Sequence, residues 1–217
     1  MTNYVYGTSG NDTLNGIDTD NNQMWGYAGN DTITGGVLDD DDEIYGGGGN
    51  DIIHGGYGSD YIEGGDGDDE IYDGHPNYFD YYSSDTIYGG AGNDTLIAGE
   101  GDDILYGEGG VDTMYGNDGA DTFVFVWNYN NGNKDFIQDF DLSEGDILDL
   151  DQMIPYDSAT DNIADYVKFV TGTYHTTVQV DHDGPGTFHS WINIVQLSNI
   201  TGLTVGGMIS SGNMIVE

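Results

Sequence analysis

The chain has 217 residues, and 40 of them are Asp or Glu against only two Lys or Arg, which gives a formal net charge of -38 at pH 7. A charge of this size excludes nucleic acids and anionic membrane surfaces as partners, because both repel a strongly acidic protein. There is no Cys for disulfides, and no apolar stretch reaches the length of a membrane span, so we expect no membrane insertion. Because 36% of the residues are apolar, we expect the chain to fold once its charge is neutralised.

From residue 7 to residue 124 the sequence repeats with a period of nine residues, as in the consecutive copies GGGGNDIIH, GGYGSDYIE and GGDGDDEIY. Twelve turns can be aligned, and the second, fourth and eighth carry one, two and seven extra residues. The turns begin at Gly7, Gly16, Gly26, Gly35, Gly46, Gly55, Gly64, Asp73, Gly89, Ala98, Gly107 and Gly116.

Two positions of the repeat keep their character in all twelve turns. Turn chemistry alone does not require Asp at the same position of eleven turns, so the pattern indicates a repeated functional group. Position six carries Asp12, Asn22, Asp31, Asp42, Asp51, Asp60, Asp69, Asp85, Asp94, Asp103, Asp112 and Asp121. Position eight carries Leu14, Met24, Ile33, Ile44, Ile53, Ile62, Ile71, Ile87, Leu96, Leu105, Met114 and Phe123.

Each turn consists of a glycine-rich half followed by a three-residue strand that points its central apolar side chain inward. One turn cannot bury that side chain alone, so the turns must stack. With two turns per coil, we expect an all-β fold over residues 1–124: a parallel β-roll, that is, a right-handed solenoid with two sheets. The position-six residues then stack in two columns, one for odd-numbered and one for even-numbered turns, with coils about 4.8 Å apart.

The stacked carboxylates predict a bound cation. Two carboxylates about 5 Å apart repel by roughly 0.8 kcal/mol even in water. Carboxylates together with the carbonyls that glycine turns expose make an all-oxygen site, which suits hard Ca²⁺ better than Zn²⁺ or copper. Mg²⁺ fits less well because it keeps its waters and demands stricter geometry. We therefore predict Ca²⁺, with up to about ten ions in the roll.

These residues resemble the RTX calcium-binding nonapeptide repeat, GGxGxDxUx, over residues 7–124. The resemblance implies that each ion lies between one turn and the next turn but one. It would be held by positions two, four and six of the first turn and positions one, three and six of the second. Besides the position-six residues, the resemblance gives ligand roles to Thr8, Gly10, Gly26, Tyr27, Ala28, Gly29, Gly46, Gly47, Gly48, Gly49, Gly55, Gly56, Tyr57, Gly58, Gly64, Gly65, Asp66, Gly67, Gly89, Gly90, Ala91, Gly92, Ala98, Gly99, Glu100, Gly101, Gly107, Gly109, Gly116 and Asp118.

The three lengthened turns all have even numbers, so we expect the two columns to differ. The odd column, from Asp12 to Asp112, should be an unbroken ladder with up to about five ions. The even column contains Asn22 and the insertions at residues 39–41 and 75–83, so we expect irregular metal geometry near them.

Position nine carries a set of outward aromatic residues concentrated on the even turns. Cross-strand stacking that shields the sheet is the simpler explanation, and a peptide or glycan surface is the alternative. The residues are Trp25, Tyr45, Tyr72, Tyr88, Tyr106 and Tyr115.

From residue 125 glycine thins out, and longer strands are predicted in KDFIQDFDLSEGDILDLDQM, YVKFV, TTVQV, SWINIVQL and MIVE. We expect residues 125–217 to form a second, small β-rich module that caps the roll. The first of these stretches and VDHDGPGTF resemble the C-terminal targeting domain that follows RTX repeats in proteins exported by type I secretion, notably large bacterial adhesins. Candidate calcium ligands, with solvated turn carboxylates as the alternative, are Asp139, Asp141, Asp146 and Asp149, and Asp181 with Asp183.

The resemblance implies that the uncleaved carboxy terminus carries an export signal for type I secretion machinery. This agrees with a start, MTNYVYGTSGND, that lacks the segments of a secretory signal peptide. We therefore expect a secreted or cell-surface bacterial protein that folds on extracellular Ca²⁺, as the C-terminal region of a larger adhesin. Neither a HExxH nor a GxSxG motif occurs, so we expect no enzymatic activity. The alternative is the C-terminal module of a secreted protease, lipase or alginate epimerase.

Overall fold

The structure is a computed structural model, and it describes residues 2–17, 20–36, 38, 40–74, 83–127, 133–154, 161–181 and 191–216. The regular secondary structure of these residues consists of β-strands, apart from one turn of 3-10 helix at Ile163–Asp165 and one short α-helix. No helix within these ranges is long and apolar enough to cross a membrane. The elements are β1 Asn3–Tyr6, β2 Thr13–Asn15, β3 Asn22–Ala28, β4 Thr32–Thr34, β5 Glu43–Gly48, β6 Ile52–His54, β7 Tyr61–Asp66, β8 Glu70–Tyr72, β9 Thr86–Ala91, β10 Thr95–Glu100, β11 Ile104–Gly109, β12 Thr113–Asp118, β13 Thr122–Val124, β14 Asp135–Ile137, β15 Ile147–Asp149, β16 Val167–Thr171, β17 His175–Val180, β18 Ile192–Ser198, α1 Val205–Ser211 and β19 Met214–Ile215.

The strands form two sheets around one hydrophobic core. The nine-stranded sheet has the order β1-β3-β5-β7-β9-β11-β13-β15-β19; it holds the strands of the even-numbered turns, and we call it the even sheet. The ten-stranded sheet has the order β16-β17-β18-β14-β12-β10-β8-β6-β4-β2; it holds the odd-numbered turns, and we call it the odd sheet. Pairing within the repeats is parallel and joins each turn to the next but one. The predicted all-β, parallel, two-sheet solenoid is confirmed.

Position-eight side chains lie in register across each sheet. Ile33 pairs with Ile53 in the odd sheet and Ile44 pairs with Ile62 in the even sheet, and all four side chains are fully buried. The longest insertion does not disturb this register, because Ile62 pairs with Ile87 across it. A shift of one residue would turn the apolar side chains to solvent, so the pairing confirms the alignment of the irregular turns.

Several strands are longer than the three residues predicted. β5 and β7 each have six residues, since pairing continues from position seven of one turn through position three of the next, as in Gly47 with Gly65 and Gly48 with Asp66. The glycine-rich half of these turns is therefore part of the sheet rather than a free loop. This pairing holds the carbonyl groups of successive coils in line.

Both sheets continue beyond residue 124. In the even sheet β13 pairs with β15 and β15 with β19, and in the odd sheet β12 pairs with β14 and β14 with β18. Leu148 and Met214 follow Phe123 in the buried position-eight row. β16, β17 and β18 form an antiparallel end of the odd sheet. The two predicted domains therefore share their sheets and core, and the boundary at residue 124 remains a prediction.

Candidate metal centre

The position-six residues form two columns, which are buried except at the half-buried Asp12. Asp51, Asp69 and Asp94 of the odd column are each only 1% exposed. Each carboxylate is held by the backbone of the preceding coil: one oxygen of Asp69 accepts the N–H of Asp51 at 2.8 Å, and one oxygen of Asp94 accepts the N–H of Asp69 at 2.8 Å. The same bond recurs in the even column, from the N–H of Asp85 to Asp103 at 2.8 Å. The predicted stacking of carboxylates in two columns is confirmed.

The other oxygen of most column carboxylates is buried without a hydrogen-bond donor among the described residues. A buried carboxylate oxygen that has lost its water and gained no partner is costly, so its recurrence at one repeat position indicates a place for a cation. These atoms are Oδ2 of Asp31, Asp51, Asp60, Asp69, Asp94, Asp103, Asp112 and Asp121.

Backbone carbonyls of positions two and four point from each coil toward the next. A Cβ atom added to Gly65 would collide with the carbonyl oxygen of Gly47, and one added to Gly67 would collide with that of Gly49. The position-three carbonyl of Asp66 accepts the N–H of Gly49 at 2.7 Å, which leaves it one lone pair. A carbonyl that accepts one N–H in this way can still offer its second lone pair to an ion.

The position-one carbonyl points back toward the preceding coil. A Cβ atom added to Gly46 would lie 2.5 Å from both the carbonyl oxygen of Gly64 and Oδ2 of Asp51. The space that glycine leaves open at position one is therefore lined by a carbonyl and by the donor-free carboxylate oxygen. An all-oxygen set that includes a carboxylate fits Ca²⁺. The resemblance assigns the ion to positions one, two, three, four and six, and these ligand roles remain predictions.

Most turns hold position two in a left-handed backbone conformation, although Thr8 of the first turn does not adopt it. The φ angle is 110° at Gly47 and 113° at Gly65, and three residues with side chains keep this conformation: Tyr27 at 76°, Glu108 at 66° and Asn117 at 66°. A left-handed conformation costs such residues about 1–2 kcal/mol each. Its retention at that cost indicates that the direction of the position-two carbonyl is important.

Asn22 differs from the rest of the even column because both ends of its amide have protein partners. Its Nδ2 donates to Asp42 at 2.9 Å, and its Oδ1 accepts the N–H of Ile17 at 2.9 Å. The amide donor meets the Asp42 carboxylate where a cation would lie in the other coils. The first space of the even column is therefore closed by the protein itself.

The two larger insertions of the even column lie partly outside the described residues, which omit Asp39 and residues 75–82. The column resumes directly after the longer one. The N–H of Asp60 donates to the Asp85 carboxylate at 2.7 Å. The carbonyl oxygen of Ser83 would collide with a Cβ atom added to Gly101, as the carbonyl oxygen of Gly49 would with one added to Gly67. The register of the column therefore survives the insertion.

Each column gains a member from the tail. The N–H of Asp112 donates to Asp135 at 3.0 Å, and the N–H of Asp121 donates to Asp146 at 3.1 Å. Asp146 was predicted as a tail ligand, and it lies in the even column. Asp135 was not among the predicted ligands, although the triplet DFI at residues 135–137 has the spacing of positions six to eight.

Three of the other predicted tail ligands, Asp139, Asp141 and Asp149, accept backbone N–H groups. Asp139 accepts two N–H groups from the start of turn twelve at 3.0 and 3.2 Å. Asp141 and Asp149 each accept an N–H two residues further on, at 2.7 and 3.0 Å, which is turn chemistry. Asp181 is buried, and its predicted partner Asp183 lies outside the described residues. Calcium binding by these residues remains a prediction.

The aromatic residues of the even sheet stack across strands. The ring of Trp25 stacks on Tyr6 and Tyr45, with centroid distances of 5.1 and 5.8 Å. Further along the sheet Tyr88 stacks on Tyr106 at 4.3 Å. Cross-strand stacking is confirmed, and a peptide or glycan surface remains a prediction.

Burial raises the pKa of the column carboxylates in the absence of a cation. It raises the pKa of Asp51 to about 6 and those of Asp69, Asp94 and Asp112 to about 7, and neighbouring column carboxylates add to the rise while backbone N–H donors oppose it. A cation between the carboxylates would favour their charged form and lower these pKa values.

These pKa values predict that acid partly replaces calcium. Because the folded pKa values exceed the ordinary value of 3.8, the folded state binds protons that the unfolded chain does not. This stabilisation is complete below about pH 4 and is lost as the pH rises through about 7. In chelator, circular dichroism should therefore show more strand at about pH 5 than at about pH 8. In calcium the trend should weaken or reverse, because protons then compete with the ion; equal strand content at both pH values in chelator would contradict the prediction.

The fold and the columns together define a parallel β-solenoid with oxygen-lined cation spaces between its coils. The RTX calcium-binding nonapeptide repeat matches the chain in four copies, at residues 2–16, 6–41, 37–71 and 88–123. The chain therefore carries RTX calcium-binding repeats. Such a β-roll is a structural domain, and RTX repeats are typical of secreted bacterial proteins.

The solved structures that resemble this chain include two with 17% sequence identity to it. The AlgE6R3 subunit of the Azotobacter vinelandii mannuronan C5-epimerase aligns over 96% of this chain and 80% of its own, with a TM-score of 0.34. The extracellular lipase LipA from Serratia marcescens aligns over 100% of this chain with a TM-score of 0.28, but this chain spans only 40% of the lipase. No curated protein sequence matches the chain.

Proposed function

We propose that the chain is a calcium-triggered folding domain that serves export by type I secretion, as the C-terminal region of a larger bacterial adhesin without enzymatic activity of its own. The observation that carries the calcium part is the series of buried Oδ2 atoms that lack a donor in the described residues. Bound Ca²⁺ supplies the positive charge that these oxygens lack. The chain's own residues supply the columns and hold their carboxylates by backbone N–H bonds.

The charge of the chain favours an unfolded state in the cytosol and a folded state outside the cell. A formal net charge of -38 opposes compaction wherever cations are scarce. Extracellular sites of this kind have dissociation constants of about 10⁻⁴–10⁻³ M, so cytosolic calcium leaves them empty and external calcium fills them. An unfolded chain inside and a folded chain outside is what export through a channel requires.

The position of the tail supports a division of roles, in which the tail directs export and then covers the end of the folded repeats. β19 pairs with β15, and the side chain of Asn213 donates to the carbonyl of Asp146 at 2.7 Å, so the carboxy-terminal residues lie on the end of the roll. Phe125 is buried in the same core. We propose that the tail is read by the secretion machinery while unfolded and covers the last coil after export; the alternative is that it only covers the coil.

Two deletions distinguish these alternatives. Removal of residues 210–217 takes away β19 and leaves both columns intact, so we expect loss of export by a matching type I system with little change in calcium-dependent folding. Removal of residues 125–217 also takes away Asp135 and Asp146 and exposes Phe123, so the calcium needed for half-maximal folding should rise. Secretion is measured by immunoblot of medium and cells, and folding by circular dichroism. Normal export of the shorter deletion would overturn the targeting role.

A further inference from the structure

The eighth turn begins with Asp73, whereas every other turn begins with Gly or Ala. At Gly46 the open space of position one is lined by a backbone carbonyl of the next coil. At Gly55 a side chain takes that place: an added Cβ would collide with Oδ1 of Asp73 and lie 2.7 Å from Oδ2 of Asp60. The Asp73 carboxylate therefore points into the space of the even column between turns six and eight.

Three carboxylates meet in this space. One oxygen from each of Asp60, Asp73 and Asp85 lies within 4.8 Å of the other two, and the three residues are 3%, 5% and 2% exposed. Oxygens bound to one calcium ion at 2.3–2.6 Å lie at most about 5.2 Å apart. All three carboxylates are therefore within reach of a single ion.

By distance and angle, neither oxygen of the Asp73 carboxylate and not Oδ2 of Asp60 has a hydrogen-bond donor in the part of the chain that the structure describes, although the Gly74 N–H and the Asp85 carboxyl lie close to Asp73. The repeats contain no Lys or Arg that could neutralise these carboxylates, because the chain's two such residues, Lys134 and Lys168, both follow the repeats in the sequence. A buried carboxylate with two partnerless oxygens, aimed at two others, points to a cation as the missing partner.

The charge of this space differs from that of the ordinary spaces. A column aspartate borders the space above and the space below it, so each ordinary space has about one negative charge for one divalent ion. Asp73 adds a second negative charge to one space only. That space balances the charge of a divalent ion and suits a trivalent ion better than a space bordered by two column aspartates alone.

We propose that Asp73 is a ligand to the cation between turns six and eight and makes this space a three-carboxylate site that binds hard cations more tightly than the ordinary column spaces. The inference rests on the proposed function, because it takes the column spaces to be calcium sites. The site also lies where chain closure is most costly. The eighth turn is seven residues longer than the regular turns, so closing this coil costs more loop entropy, and a tighter ion offsets that cost.

The test uses the folded, calcium-saturated full chain and Tb³⁺ as the probe. One equivalent of Tb³⁺ is titrated in millimolar calcium, its luminescence is followed, and native mass spectrometry counts Tb and Ca in each species. The wild type should take up one Tb³⁺ about tenfold more tightly than Asp73→Asn or Asp73→Gly, because an extra ligand charge favours the trivalent ion. Asp73→Asn keeps the size of the side chain, and Asp73→Gly restores the residue of the other turns.

Asp165→Asn is the matched control, since it also removes one negative charge but lies in the 3-10 helix of the tail. It should bind Tb³⁺ like the wild type. Unchanged Tb³⁺ uptake in both Asp73 variants would overturn the inference and show that Asp73 is not a ligand. A wild type that binds calcium but has no tight Tb³⁺ would also overturn it, while leaving the proposed function in place. Absence of any bound calcium in the wild type would instead overturn the proposed function.

Discussion

In a calcium chelator at neutral pH, the chain is expected to lose most of the strand signal in its far-UV circular dichroism spectrum and to regain it in millimolar calcium. With a dissociation constant near 10⁻⁴ M, calcium at about ten times that value stabilises the folded state by roughly 1.4 kcal/mol per site. About ten sites then contribute roughly 14 kcal/mol, which equals the whole stability of an ordinary domain. Removal of the ion therefore removes enough free energy to unfold the roll.

Two controls separate ion binding from general screening of the acidic chain. NaCl at an ionic strength equal to that of the calcium buffer screens the net charge but does not fill the spaces between carboxylates. Mg²⁺ at the same concentration tests the preference for a larger, flexible coordination shell. Neither should restore the strand signal at concentrations where Ca²⁺ does. A native spectrum that chelation leaves unchanged would contradict calcium-triggered folding.

The regular part of the fold could be predicted because two constraints act on every turn. The side chain of Ile53 must face inward and that of Asp51 must stack on the next coil, so positions eight and six recur in the sequence whatever the other residues are. Insertions do not hide this signal, since the half of the turn that follows each insertion keeps its spacing. Strand pairing of Ile62 with Ile87 across the longest insertion shows the result.

The tail was harder to predict because it lacks the glycines that mark the repeat. Asp135 and Asp146 keep the position-six role but stand in single triplets without a glycine half before them. The helix α1 has the sequence VGGMISS, whose glycines and β-branched residues disfavour helix. Only the residues at its two ends are typical of a helix. The side chain of Thr204 caps the start by accepting the N–H of Gly207, and Gly212 ends the helix with a φ of 82°.

Asp73 shows a third limit of sequence analysis. Its place in an irregular turn suggested a disturbed site, because seven extra residues separate it from Asp85. Register is set by backbone pairing on both sides of an insertion, however, and the N–H of Asp73 donates to the carbonyl of Ile97 at 2.7 Å as position one does elsewhere. Its carboxylate is therefore brought beside Asp60 and Asp85, which sequence spacing alone does not show.

Replacement of one odd-column aspartate is expected to lower stability strongly, and the loss should grow with the logarithm of the calcium concentration. Asp51→Ala removes a carboxylate that borders two cation spaces and accepts the N–H of Asp31 at 2.7 Å. Loss of two ions costs about 3 kcal/mol at millimolar calcium, and loss of the hydrogen bond costs about 1 kcal/mol more. The free energy of unfolding should therefore fall by about 4 kcal/mol, as measured by urea denaturation at fixed calcium.

Asn22→Ala is the matched control in the even column, and the calcium dependence of the two variants distinguishes them. Asn22 is as buried as Asp51, but it bonds Asp42 and Ile17 rather than bordering an ion, so its loss should cost about 2 kcal/mol at any calcium concentration. Each bound ion adds about 1.4 kcal/mol for every tenfold rise in calcium. Between about 1 and 10 mM calcium, the gap between wild type and Asp51→Ala should therefore widen by about 2.7 kcal/mol, while the gap for Asn22→Ala stays constant. Parallel dependence in both variants would mean that the odd column binds no ions at Asp51.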